Sequence, residues 1–183
     1  MDYTDLFPFT TYMDGSEAEV LCFALDRARW RFAWKTGGLN AEQLQQRHPP
    51  STMTLAGLIR HMAAVEDGFT AGAAGRAGTV VGGDDDWHCT DEPEALYALW
   101  YGAVERARRE WREISADGGL GTQVPGGTDT WILNRRGLLV TLMEEYQVHA
   151  GHADLLREAV DGLVGNDPPW PDEVPDRPKV GGA

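Results

Sequence analysis

One stretch constrains this chain more than any other. Residues 136–161 repeat apolar side chains at helical spacing and set a carboxylate and an imidazole inside the apolar stripe. Leu138, Leu142, Tyr146, Ala153 and Leu156 follow one another at intervals of three, four or seven, the period of a helix with one buried face. Glu145 and His149 lie four apart, one turn along that same side. Buried polar groups without partners are costly, so this pair must be satisfied. The two can hydrogen-bond to each other, or they can share a metal ion. A third ligand on another helix would decide between these, and a chain that brings it there must fold as a bundle.

The other long helices are read from periodicity and from their start and stop signals. Residues 16–35 form the first, with Ser16 as N-cap and Gly37-Gly38 as the stop. A short helix over 41–46, capped by Asn40, precedes the Pro49-Pro50 break. The second long helix covers about 54–73, capped by Ser51 or Thr52 and ended by Gly75. The third spans about 92–115, where Asp91 and Glu94 have capping-box spacing and Pro93 fits the first turn. Its Arg- and Glu-rich side, including Arg108 and Glu110, reads as a solvated face. The fourth covers 136–161, with Gly162 as its C-cap. Between the helices, Asp84, Asp85 and Asp86 follow two glycines and read as a solvated loop, since the run lacks the spaced ligands of a calcium loop. Beyond Gly165 the prolines exclude continuous helix, so the tail is expected to be an extended arm whose Trp170 docks on the core. The chain thus reads as all-α: a helical bundle over 1–165 with short accessory helices, and a Pro-rich extended tail over 166–183.

Composition excludes several function classes. A formal charge of −13 disfavours nucleic acid and anionic membrane surfaces as partners. No run approaches the ~18 apolar residues of a membrane span, and the first residues lack a signal-peptide pattern, so a cytoplasmic protein is expected. Cys22 and Cys89 form no CxxC pair and read as free thiols. Lys35 and Lys179 are the only lysines, a bias toward Arg that fits GC-rich coding. Seven tryptophans favour a packed core, and tryptophan-rich helix faces could also support a homodimer.

The search for a third ligand singles out His61. Of the five histidines, His48 precedes the proline pair and His88 sits in the acidic loop. His61 instead lies on the stripe of Leu55, Leu58, Met62, Val65 and Phe69 and faces the bundle interior. With Glu145 and His149 it makes a two-His, one-carboxylate set suited to zinc, leaving a position open for water or substrate. His152, three residues beyond His149, is placed beside the ligands as a supporting group. Asp154 and Arg157, three apart, are expected to pair along the helix. Arg60 and the Arg135–Arg136 pair are read as surface groups that could also meet an anionic substrate.

Two motifs carry a resemblance. The run Leu58-Ile59-Arg60-His61-Met62-Ala63, followed far downstream by Glu144-Glu145-Tyr146-Gln147-Val148-His149-Ala150-Gly151-His152, resembles the DinB-like superfamily. Within it the chain is similar to the mini-circle protein family, also called the domain of unknown function 664, over roughly residues 14–165. The resemblance implies a four-helix bundle with a divalent metal, zinc or alternatively nickel, held by His61, Glu145 and His149. The His–Glu–His set is similar to that of the mycothiol-dependent maleylpyruvate isomerases. Those enzymes carry a separate C-terminal domain that this sequence lacks, which argues against expecting their particular reaction. Other related members are thiol S-transferases using mycothiol, bacillithiol or glutathione. The leading expectation is therefore a metal-dependent thiol S-transferase acting on a small electrophile, with a low-molecular-weight thiol as co-substrate. The alternatives are a metal-dependent hydrolase, lyase or isomerase of specialised metabolism, and a non-catalytic small-molecule-binding protein. An extra acid or base at the site's mouth would favour the former, and a pocket closed over the metal the latter.

Overall fold

The computed structural model describes residues 3–6, 8, 15–116, 119–124 and 131–170. Four long helices dominate: α1 (Glu17–Thr36), α3 (Leu55–Ala74), α4 (Pro93–Ala116) and α5 (Arg135–Asp161), with a short α2 (Ala41–Gln45) after the first. Single turns of 3-10 helix occupy Tyr3–Leu6, Asp84–His88 and Gly119–Gly121. Among the described residues there is no β-strand, and an isolated antiparallel bridge joins Gln123 to Asn134. The chain is an all-α bundle of four main helices, as its periodicity requires. Most of the expected tail, from residue 171 on, lies outside the described residues, as do 117–118 and 125–130 of the connection before α5. Trp170 is half-buried.

The helices begin where side chains can take up their unpaired amides. Ser16 accepts from the Glu19 amide at 3.4 Å while the Glu19 carboxylate accepts from the Ser16 amide at 2.7 Å, a reciprocal box. Asn40 and Gln43 repeat the arrangement at 2.9 and 3.1 Å. Asn134 caps α5 through the Gly137 amide at 3.0 Å. For α3 the cap is Thr54, which accepts from the Gly57 amide at 3.0 Å, and not Ser51 or Thr52. Ser51 is used one turn earlier, where its hydroxyl accepts from the Met53 amide and shapes the turn that delivers the chain to Thr54. Gly75 and Gly162 end α3 and α5 at φ 74° and 80°, left-handed geometry that suits glycine.

Polar contacts between helices fix their directions. Arg136 meets Glu17 at 2.9 Å at the start of both α1 and α5, and Lys35 near the end of α1 meets Asp154 and the Leu163 carbonyl near the end of α5. These two helices therefore run parallel. Arg135 donates to the Ala73 carbonyl at 2.7 Å, which sets the end of α3 against the start of α5. Tyr97 donates to the Thr36 carbonyl at 2.9 Å and Arg108 reaches Asp26 at 3.1 Å, so α4 runs against α1. The order is up, down, down, up, with α3 and α5 as antiparallel neighbours.

Two expectations are revised by the packing. Arg157 does not pair with Asp154. It meets Asp161 one turn on, at 3.0 Å, and donates to the Lys35 and Gly37 carbonyls at the end of α1, where the helix dipole favours a cation. Arg108 and Glu110 of the supposedly solvated face are engaged, the first by Asp26 and the second by Arg76. Trp30, Trp100 and Trp111 are at most 1% exposed and fill the interior of the bundle.

Candidate metal centre

Helical registry brings His61, Glu145 and His149 together. His61 lies in the second turn of α3, while Glu145 and His149 occupy successive turns in the middle of α5. One donor atom from each lies within 4.8 Å of the others. His149 Nε2 is 3.4 Å from Glu145 Oε2, close to the edge of about 3.3 Å spanned by two ligands each about 2.0–2.1 Å from a tetrahedral ion. Two imidazoles and one carboxylate are a donor set that zinc and its divalent neighbours accept, so these residues fit a metal. His149 is 11% exposed at its side chain, His61 26% and Glu145 34%, so the cluster opens to solvent on one side and is not a closed pocket.

Neighbouring groups prepare the ligands. Burial, and then the nearby His61 and His152, draw the His149 pKa down to about 4. The ring is thus neutral at physiological pH, the state a ligand needs. Its Nδ1 lies 3.3 Å from Nδ1 of His152. With the proton on His149 Nδ1 and donated to His152, the Nε2 lone pair faces Glu145. His152 thus stands beside His149. On α3, His61 Nδ1 faces Asp86 Oδ2 at 3.6 Å, an orientation that leaves Nε2 as the lone-pair nitrogen.

Asp86 is a correction to the reading of residues 84–86 as a solvated loop. It is 2% exposed, accepts from Arg60 Nε and from the Gly83 amide, each at 3.1 Å, and belongs to the short helical turn at Asp84–His88. Arg60 is held there and by Asp91 at 2.9 Å, so it does not project toward a substrate. Gly57 lets this turn sit directly on α3, since a Cβ there would meet the Asp86 carbonyl oxygen at 2.9 Å and the Trp87 Cα at 3.1 Å. Trp87 is thereby laid against His61, ring centroids 5.1 Å apart, and stands 6.2 Å from the His149 ring. Trp87 was not singled out from sequence and Asp86 was read only as part of a solvated run, because a loop has no period to mark which side chains turn inward.

Beneath the cluster, α3 and α5 are joined by buried hydrogen bonds. Tyr146 Oη donates to Glu66 at 2.5 Å and accepts from Trp100 Nε1 at 3.0 Å. Arg29 of α1 grips both oxygens of Glu66 and also Asp26. Glu66, Arg29 and Tyr146 are at most 2% exposed. The Tyr146 phenol is pushed well above its usual range, first by burial and then by the Glu66 charge, and stays a donor. Glu66 was passed over in the sequence, where Tyr146 counted only as part of an apolar stripe.

A cleft of about 600 Å³ begins at His61 and runs along α3 between the 76–89 loop and the first turns of α5. Asp67 pins the loop by accepting from the Val80 amide at 2.8 Å and from the Thr79 hydroxyl at 3.1 Å. Burial alone would raise the Asp67 carboxyl, but these bonds and Arg76 outweigh it and hold the pKa below the usual carboxylate range. A second cavity, of about 360 Å³, is lined by Trp34, Tyr97, Tyr101 and Arg157 and by none of the three candidate ligands. Cys22 and Cys89 are free, and burial raises both thiol pKa values.

Comparison with known proteins identifies the family and the fold. A family model described as mycothiol-S-transferase matches residues 20–162. A crystal structure of a conserved protein from Enterococcus faecalis shares the fold, with a TM-score of 0.62 at 17% identity, covering 81% of this chain and 99% of that one. None of the curated proteins matches.

Proposed function

The chain belongs to the mycothiol-S-transferase family, a DinB-like family, and from that premise we propose that it is a divalent-metal-dependent enzyme joining a low-molecular-weight thiol to a small electrophile. Mycothiol is the thiol proposed, and zinc the metal, with nickel as the alternative. The observation that carries this reading is the cluster of His61, Glu145 and His149, of which His61 also lines a cleft large enough for a small molecule. His61 and His149 would bind as neutral imidazoles and Glu145 as a carboxylate, with His152 and Asp86 orienting the two rings.

When bound, such an ion lowers the pKa of a coordinated thiol and keeps it as thiolate at neutral pH. The protein's own residues do the rest. Three protein ligands would leave room for a thiol in the coordination of such an ion, and Trp87 packs against the His61 ring. The nucleophile comes from the co-substrate, because Cys22 and Cys89 have raised pKa values and lie outside the cluster. In the transfer the thiol proton leaves to solvent, a sulfur–carbon bond forms, and the leaving group departs with its electron pair.

The test uses untagged protein. Wild type should carry about one equivalent of zinc per chain, and His149→Ala should carry little. Mycothiol with a generic haloaromatic should be conjugated by loaded wild type and not after chelation. Metal without conjugation by any thiol would reject the transfer reading, and no metal in either protein would reject the site.

A further inference from the structure

The cleft that starts at His61 has a chemical character that the transferase reading does not by itself dictate. Its walls are Val65 and Phe69 of α3, Val80 and Trp87 of the loop, and Leu138 of α5. Among the described residues, no lysine or arginine lines it. Of its ionisable lining residues, Asp86 has one oxygen bonded to Arg60 and the other to the Gly83 amide, and His61 belongs to the metal cluster. Apart from a cation held at the His61 end, an anionic ligand would find no countercharge among these described residues, and a strongly polar one would leave hydrogen bonds unmade against apolar walls.

Gly68 points the same way. It sits in the middle of α3, where glycine weakens a helix through its backbone entropy, and it lines the cleft. A Cβ built on it has nothing within 4 Å, so no close packing demands the glycine. What its small size provides is room beside Phe69.

We propose that this cleft seats the electrophilic co-substrate and selects a neutral, largely apolar molecule, aromatic or short-chain, with its reactive carbon at the His61 end. The proposal rests on the transferase reading. The volume of about 600 Å³ lies within the range of pockets that enclose drug-sized ligands. Val65, Phe69 and Leu138 supply the apolar contact, and Trp87 supplies an aromatic face next to the reacting centre.

The experiment uses zinc-loaded full-length protein and two readouts. Unreactive dinitrobenzene is titrated calorimetrically without thiol. Mycothiol conjugation is then measured with neutral dinitrochlorobenzene and with its anionic counterpart, a dinitrochlorobenzoate. Dinitrobenzene should bind wild type, and Gly68→Leu should weaken it at least about tenfold by filling the cleft. Zinc content should be unchanged in Gly68→Leu, and Gly68→Ala should bind like wild type, which separates loss of room from loss of fold. The neutral chloride should show the lower KM, and Gly68→Leu should raise it.

Equal use of the anionic chloride, or a Gly68→Leu variant with wild-type binding and KM, would overturn the cleft assignment while conjugation itself left the transferase reading intact. Dinitrobenzene binding that Gly68→Leu abolishes, with no conjugation by any thiol, would support the apolar site and overturn the transfer chemistry. Absence of both would remove both.

Discussion

His149 is held between two demands. It must be buried to face His61 across the α3–α5 seam, and it must stay neutral to offer a lone pair. Burial supplies the second demand, and the adjacent His61 and His152 reinforce it, bringing its pKa from 6.5 to about 4. The shift has a consequence for stability. The unfolded chain's imidazole takes a proton near pH 6.5 and the folded one only near pH 4, so in that window the unfolded state binds more protons. The metal-free protein should lose stability as pH falls through it, by about 2–3 kcal/mol from this residue, with no further loss from it below the folded pKa. Urea unfolding of metal-free wild type and His149→Asn, at about pH 7 and about pH 4.5, isolates that share. The variant should be the less acid-sensitive of the two; identical pH dependence would mean that His149 titrates normally.

Between elements, the seam of α3 and α5 matters most, because it sets the register at which His61 meets Glu145 and His149. Tyr146 and Glu66 cross it next to those ligands, Tyr146 directly after Glu145 in sequence. Tyr146→Phe keeps the ring but leaves the Trp100 indole N–H without its acceptor and removes one donor from the Glu66 carboxylate. It should destabilise metal-free protein by about 1–3 kcal/mol and weaken zinc binding through the loosened register. Chemical denaturation with a parallel zinc titration checks both, and unchanged zinc affinity would limit the bond to a stability role. The same seam shows what a sequence can display. The candidate ligands were legible because all three lie on helices, where a period of 3.6 tells which side chains turn inward. Ser16 and Asn40 marked helix starts through chemistry confined to one turn, whereas the Asn134 cap was not read. Asp86 and Trp87 were hidden because a loop has no such period, and their inward turn depends on Gly57, far back in the chain, admitting the backbone. The Tyr146–Glu66 bond was hidden for a different reason: its partners are eighty residues apart. Thr54 was missed because Ser51, Thr52 and Thr54 all offer capping hydroxyls within one turn, and only the path out of Pro49-Pro50 selects among them.

Taken as a whole, the up, down, down, up order makes the candidate centre a clasp. Its ligands come from α3 and α5, neighbours in space joined in sequence only through the whole of α4 and two connections. The buried Arg29–Glu66 pair already ties α1 to α3, and a chain carrying a net charge of −13 has self-repulsion to overcome in staying compact. A cation held at that seam adds binding free energy available only to the folded state, since the three ligands are brought together only when both helices dock. At a free zinc concentration one hundred times its Kd, the gain is about 2.7 kcal/mol. For a domain of this size that corresponds to a rise of about 5–10 °C in Tm. Chelation should reverse it, and the shift should grow with the logarithm of free zinc once binding is saturated. His61→Ala removes the α3 contribution while keeping Glu145 and His149 one turn apart on α5. If the clasp is real, that variant should lose nearly the whole zinc-dependent rise; if it kept the rise, zinc would be binding on α5 alone, and the link between the two helices would be wrong.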